Sequence, residues 1–475
     1  MKITILGDGI SAWLMCFSIF TFLQGIEVVI VSTISKEIDI HASSDVHLHA
    51  MLSVLGIDVD KLIQETEGSF KLGTQFQNFY DEKDDHTFHS VFGHNCLHAD
   101  TCYSWLNRLS VDSKTTSSFD STFFGNMAHI KNKTFSKKMK NSYGLNTHGL
   151  KLRNYLKDQC MSKFQFGYFE SDIEDVEVSE SGVHKLRLCN GSEISSDLYI
   201  DTTSVLLNKL NVPFKQSSEL DTIIVADVPE EGMPSLVSTR IARGNGWIFK
   251  TPLYKTTEVG YCFSSKYTSE EEAVSILNEC SSYRTLKFRL GKFEKSWVHN
   301  VVDICPLIDP LAFSQTTILC ELINPLLRTL ARGPTWNPVD VTVFNRTANQ
   351  NIDYYTEITS MYYILSLRKE FPRIVPVVDC PAYTGSPLNI LFDRFNFNSY
   401  NDDPNLCSVL YGMRYYPKDC MTTKIDAFNQ DMETISDATM KVYAQMNKQK
   451  YEWEKISKDS PNYEVVLKEI HSKGS

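Results

Sequence analysis

At 475 residues the chain is too long for one ordinary core, and with 42% hydrophobic and 12% aromatic residues it can fill more than one. Its net charge of -11 and pI near 5.6 exclude the basic stripe that a nucleic-acid partner requires. The densest basic run, Lys137-Lys138-Met-Lys140, reads as a solvated loop. The 12 cysteines are scattered with no CxxC pair; the chain's size excludes a small disulfide scaffold, and a reducing, cytoplasmic setting is predicted.

Lys2 to Leu6 is a β-branched strand, and Gly7-x-Gly9-x-x-Ala12 follows it as a tight turn. Ser11 to Gln24 is predicted as a nearly all-apolar helix, with Gly25 placed for a left-handed cap. Gln24 and Glu27 interrupt the apolar run well short of a membrane span, and glycines stand where a signal peptide would carry basic residues. Val28 to Val31 is a continuous apolar run, as in a parallel strand covered on both faces. Together these make a βαβ unit, the setting in which a GxGxxA turn seats the phosphates of a dinucleotide. The second strand ends on Ser32, where a carboxylate usually bonds the ribose, so a weaker hydroxyl contact is expected there.

Further along, His94-Asn-Cys96-Leu-His98-Ala-Asp-Thr-Cys102 holds metal-ligand residue types, but its spacing matches no zinc signature and no metal is predicted. Leu150 to Cys160 is an amphipathic helix. Phe164 to Asp201 alternates like a small sheet, and strands alternate again from Ile223 to Ser265. Composition shifts near Arg332-Gly333-Pro334, and helices are expected over Ser436 to Glu454 and Tyr463 to His471.

Several stretches, in this order, resemble the flavin-dependent halogenases, typified by the tryptophan halogenases. They are GDGISAW, Gly68-Ser-Phe-Lys71-Leu-Gly-Thr, Gly246-Trp247-Ile-Phe249-Lys-Thr-Pro252-Leu, Gly260-Tyr-Cys-Phe-Ser-Ser265, Phe288 to Asn300 and Val343-Phe-Asn-Arg346. The likeness runs over most of the length. It implies an α/β fold like p-hydroxybenzoate hydroxylase: a Rossmann-like FAD box over residues 1–332, capped by a mostly helical, pyramid-like substrate region over 333–475. In such enzymes reduced FAD, delivered by a separate flavin reductase, meets oxygen and a halide ion, and the hypohalous acid formed travels to an aromatic substrate. A lysine and a glutamate guide it. The resemblance assigns the lysine to Lys71, and FAD contacts to Gly7, Gly9, Ser11, Ala12, Ser32, Asp309 and Pro310. Trp247, Phe249 and Pro252 match the WxWxIP signature that shields the flavin from acting as an ordinary monooxygenase. Ser314 and Gln315 fall at the halide loop. Tyr383 and Phe395, with His89 and Phe92, fall on substrate-contacting positions.

The departures concern chemistry. Asp309-Pro310-Leu311-Ala312-Phe313-Ser314-Gln315 stands where the family has Glu-Pro-Leu-Glu-Ser-Thr-Gly, so Ala312 replaces the catalytic glutamate and cannot take a proton. Phe313 and Gln315 add bulk at the halide loop. The loop Asn300 to Leu307 is shortened, and His41-Ala-Ser-Ser44 replaces a glycine-led flavin loop. Ile390 stands where a glutamate would hold the ammonium of free tryptophan, so a different indole- or phenol-like substrate is expected. Three readings follow: a halogenase, or a monooxygenase descended from one; a relative that kept the scaffold without turnover; and, last, an NAD(P)H-linked oxidoreductase, for which no second nucleotide site is visible. A monomer or homodimer without membrane association fits all three.

Overall fold

The computed structural model describes residues 1–33, 42–83, 85–93, 120, 123–138, 142–230, 232–277, 282–305, 307–333, 336–375, 404–415 and 432–472. The β-branched strand Lys2–Leu6 lies in the middle of a six-stranded sheet. Glu27–Ser32 and then Gly167–Glu170 extend it on one side; Leu198–Asp201, Val301–Asp303 and the short edge strand Trp297–Val298 extend it on the other. All pairings are parallel except that of the edge strand. The connection after Lys2–Leu6 and the one after Leu198–Asp201 run to opposite sides of the sheet, which makes the carboxyl ends of these two strands a topological switch point. The helix between the first two strands is Ile10–Phe22, two residues shorter at its end than the sequence suggests. Leu23 is already extended, and Gly25, left-handed as expected at φ 68°, belongs to the following turn.

A second sheet of seven strands runs in the order Arg284–Lys287, Thr222–Pro229, Thr256–Phe263, Gly246–Pro252, Val237–Arg243, Gly73–Gln77 and Thr87–Val91. One face, with Ile224, Ile248, Tyr261 and Phe263, is covered by the helix Glu270–Leu277. The other face carries Trp247, Phe249, Ala242 and Cys262 into the main core. A small sheet of Ala42–Ser43, Gly144–Thr147 and Ser69–Lys71 lies between the two large ones in the chain's path.

The helix Gln315–Leu330 packs against Ile10–Phe22, Val46–Val54 and Pro338–Ile364. The last of these starts in a capping box of Asn337 and Asp340 with Pro338 at its first turn. Met432–Asp459 packs on Phe124–Asn132, and the final helix, Tyr463–Ser472, brings Tyr463 Oη to the backbone of Phe70, accepting from its N–H at 2.9 Å. The C-terminal helices therefore return to the strand that bears Lys71. Among the described residues no helix is long and apolar enough to cross a membrane.

Candidate active site

The turn after the first strand has the geometry its glycines predict. Gly7 adopts φ 124°, and its N–H donates to Val31 O at 2.9 Å, tying the turn to the second strand. Gly9 is the N-cap of Ile10–Phe22 and brings no side chain to it, and the first helical turn has no acid. Ala12 is buried, so the helix approaches the sheet closely. An anion arriving here meets a helix N-terminus with its positive dipole end. Asp8, between the glycines, would repel it. Its carboxylate instead accepts from Trp13 Nε1 at 3.1 Å and lies 3.5 Å from Lys157 Nζ, which balances the charge. The phosphate end of a dinucleotide thus fits this chain. Gly7→Ala should be strained by about 1–3 kcal/mol at this backbone angle and should lose FAD uptake; a thermal melt and a flavin titration check the two effects separately.

Around that turn the neighbouring positions are held by the protein's own contacts. Ser11 lies in the first helical turn. Ser32 is buried at the end of its strand, where its carbonyl accepts from Ser171 N at 3.1 Å. Ala42–Ser43 pairs antiparallel with Asn146–Thr147. Ser43 Oγ donates to Asn146 Oδ1 at 2.9 Å, Ser238 Oγ donates to the same atom at 3.0 Å, and Asn146 Nδ2 reaches Ser69 Oγ at 3.3 Å. This segment is therefore fixed by a buried hydroxyl network that sequence reading missed.

Lys71 ends the strand Ser69–Lys71 and is only 5% exposed. Its Nζ lies 5.3 Å from the Phe92 ring centroid, so the structure brings these two predicted residues together. Burial, and then the nearby charge of Arg240, pull the amine from its ordinary 10.5 down to about 7; the Asp45 carboxylate opposes them. Near neutrality the amine is thus divided between its two forms.

Trp247 and Phe249 alternate on the strand Gly246–Pro252 and point into the core, with ring centroids 6.1 Å apart. Pro252 O accepts from Ser69 Oγ at 2.6 Å, which joins that strand to the one bearing Lys71. Arg240 is in register with Phe249. Its guanidinium lies 5.4 Å from the Trp247 ring and 5.9 Å from Phe249. Sequence reading gave Arg240 no part, because an arginine in an alternating strand reads as solvent-facing.

Asp309 and Pro310 are buried. Asp309 accepts from Tyr363 Oη at 2.5 Å and Leu311 N at 3.0 Å. Burial raises its carboxyl to about 6, against those two bonds and the Arg240 charge. Ala312 packs at the edge of the core, and Phe313 lies edge-on to Tyr355 with centroids 4.7 Å apart. Ser314 caps Gln315–Leu330, accepting from Thr317 N at 3.2 Å; Gln315 is the first residue of that helix. His89 is held through Nδ1 to Asp120 at 2.7 Å and through Nε2 to Gln75 Nε2 at 3.1 Å. Tyr383, Ile390, Phe395, Pro306, His41 and the His94 to Cys102 cluster lie outside the described residues.

A parallel sheet with a glycine turn, a second sheet with a buried aromatic strand, and a small third sheet that carries a buried lysine make up the fold of the flavin-dependent halogenases. The structure superposes on BrvH, a flavin-dependent halogenase from Brevundimonas sp. BAL3, with a TM-score of 0.80 at 16% identity over 99% of each chain. It superposes on a tryptophan halogenase from Shewanella frigidimarina with a TM-score of 0.82 at 18% identity, over 100% of this chain and 98% of that one. The tryptophan halogenase family model matches residues 2–427, and the chain belongs to that family. Among its relatives is the tryptophan 7-halogenase RebH of Lentzea aerocolonigenes, 24% identical over 417 residues, or 78% of this chain and 77% of RebH.

Proposed function

We propose that the protein is a halogenating enzyme that uses reduced FAD, oxygen and halide on an indole- or phenol-like substrate other than free tryptophan. The observation that carries this is Lys71: a buried amine, its pKa lowered to about 7, 5.3 Å from the Phe92 ring and on a strand tied to the strand of Trp247 and Phe249 through Ser69 and Pro252. Bound reduced flavin would supply, with oxygen and halide, the electrophilic halogen. Gly7, Gly9, Ser11 and Ala12 would hold its phosphates, with Ser32, Asp309 and Pro310 contributing along its length, and a separate reductase would deliver it. Trp247, Phe249 and Pro252 wall the site from water. Lys71 receives or orients the halogen: the neutral amine offers a lone pair, the ammonium a donor. Tyr383, Phe395, His89 and Phe92 bound the substrate.

Ala312 and Phe313 favour a second reading, a scaffold that turns over slowly or not at all. Alanine offers no base, and Phe313 is buried against Tyr355 where a small residue would leave room. The two are separated by incubation with reduced FAD, oxygen, bromide and a panel of indoles and phenols, read by mass spectrometry. Brominated product that disappears in Lys71→Ala supports the enzyme; product that persists in that variant removes the role given to Lys71. Ala312→Glu with Phe313→Ser should raise turnover at least tenfold if the missing carboxylate limits the reaction, by the usual size of general-base effects. Unchanged turnover would place the limit at flavin binding.

A further inference from the structure

The strand that bears Lys71 is an edge strand. Ser69–Lys71 pairs with Gly144–Thr147, and among the described residues no strand lies on its other side. Leu145, opposite Phe70, gives its own N–H to Ser44 Oγ and its C=O to Ser44 N. The N–H and C=O of buried Phe70 are therefore left to the open edge, where a further strand would ordinarily satisfy them. The Tyr463 hydroxyl takes both: it accepts from Phe70 N at 2.9 Å and donates to Phe70 O at 3.2 Å. Tyr463 is itself buried and firmly mounted. Its N–H donates to Lys133 O at 3.0 Å, Phe135 N donates to Pro461 O at 3.1 Å, and Thr134 bridges Asn462. Phe135 in turn stacks on the Phe70 ring with centroids 4.0 Å apart. At the far end of the same helix, His471 Nε2 donates to Gly68 O at 3.1 Å, and its ring stacks on Tyr254 at 3.7 Å. Side chains alternate along a strand, so Phe70 faces Phe135 while Lys71 faces the other way. The helix Tyr463–Ser472 thus grips the lysine strand by its backbone, at Gly68 and at Phe70.

We propose that Tyr463, assisted by His471, is a positioning residue for the Lys71 amine: its hydroxyl stands in for the missing strand and holds the lysine's backbone where the amine meets Phe92. A tyrosine hydroxyl suits this task because one oxygen both accepts and donates, as the facing residue of an antiparallel strand does. Removing it leaves two buried backbone groups unpaired, so the strand shifts or admits water. The inference rests on the role given to Lys71 in the proposed function, but the amine's surroundings are readable without flavin or turnover.

The test is Tyr463→Phe in the full chain, with carbon-13 at lysine Cε. The pH titration of the Lys71 resonance, assigned with Lys71→Arg, reads the amine's surroundings by NMR. Wild type should titrate at about 7, where burial and then the Arg240 charge hold it. Tyr463→Phe should raise that midpoint by about one pH unit, a tenfold change in the protonation equilibrium, as water reaches the amine. Tyr199→Phe is the matched control. Tyr199 Oη likewise accepts from Ser196 N at 3.1 Å and donates to Ile194 O at 3.2 Å, but in the six-stranded sheet. That variant should lower the melting temperature similarly and leave the Lys71 midpoint where it is. A Tyr463→Phe protein that melts lower with an unchanged Lys71 midpoint overturns the proposal. Should Tyr463→Phe fail to fold, His471→Ala decides. It should raise the midpoint, and His471→Gln, whose amide donates to Gly68 O, should restore it; no movement in His471→Ala overturns the proposal. In the bromination assay Tyr463→Phe should lower kcat by about tenfold with KM nearly unchanged. A raised midpoint in a protein that halogenates nothing would discard only the reaction. Halogenation with an unmoved midpoint would discard only the positioning role.

Discussion

Lys71→Met is expected to abolish halogen transfer while making the protein more stable. Both effects follow from the same burial. In the unfolded chain the amine keeps its ordinary 10.5, and in the fold it falls to about 7. Between those values the unfolded state binds the extra proton, so stability rises with pH through that window. Below pH 7 the folded protein carries the full cost of a buried ammonium near Arg240, and methionine of similar length removes it. The gain should be about 2–5 kcal/mol at pH 6 and should shrink as pH approaches 10. Thermal melts across pH 6 to 10 measure it. A variant less stable than wild type at pH 6 would mean that the lysine is paired in a way that relieves its burial.

Asp303→Asn is expected to stabilise the protein with the opposite pH dependence. Asp201 and Asp303 are register partners at the carboxyl ends of adjacent parallel strands, and both are buried. Asp201 accepts from Thr203 N, Thr203 Oγ1 and Leu206 N, which suits it to hold the charge. Asp303 accepts from Cys305 N, with the Ser204 hydroxyl as its other donor, fewer than Asp201 has. Burial, and then the neighbouring Asp201, push Asp303 well above the usual carboxylate range. The folded state therefore keeps a proton that the unfolded state releases above about pH 4, and stability falls as pH rises from there. Asparagine imitates the protonated acid, so its benefit, about 1–3 kcal/mol, should be absent near pH 3 and grow toward neutrality. Urea unfolding at pH 4 and pH 8 distinguishes this from a uniform effect, which would show that Asp303 holds no extra proton in the fold.

The nucleotide half of the fold was legible because glycine spacing and an unbroken apolar strand have few other meanings. Gly7 needed its positive φ, and Val28 to Val31 needed cover on both faces; the structure has each. The strand Gly246–Pro252 was legible only through the likeness to a family, since alternating aromatics by themselves read as plain core. Arg240, Asp303 and Glu258 were not legible at all. Alternation assigns one face of a strand to solvent, but this second sheet is covered on both faces, so Arg240 and Glu258 are buried where the pattern allows water. Asp201 ended an alternating stretch and Asp303 lay in a shortened loop, and only the pairing of their strands brings them together. Ser43, Ser69, Asn146 and Ser238 come from four separate stretches, and only the pairing of their strands makes them one network.

In the proposed function the departures at Ala312, Phe313, Ser32 and Ala42 to Ser44 set how fast and how tightly this scaffold works, while Gly7, Gly9 and Ala12 decide whether it holds a flavin. FAD titration of the purified full-length chain, followed by flavin fluorescence, tests that most directly. The account predicts saturable uptake of one FAD per chain, lost in Gly7→Ala. A wild-type protein that takes up no FAD, oxidised or reduced, would contradict it.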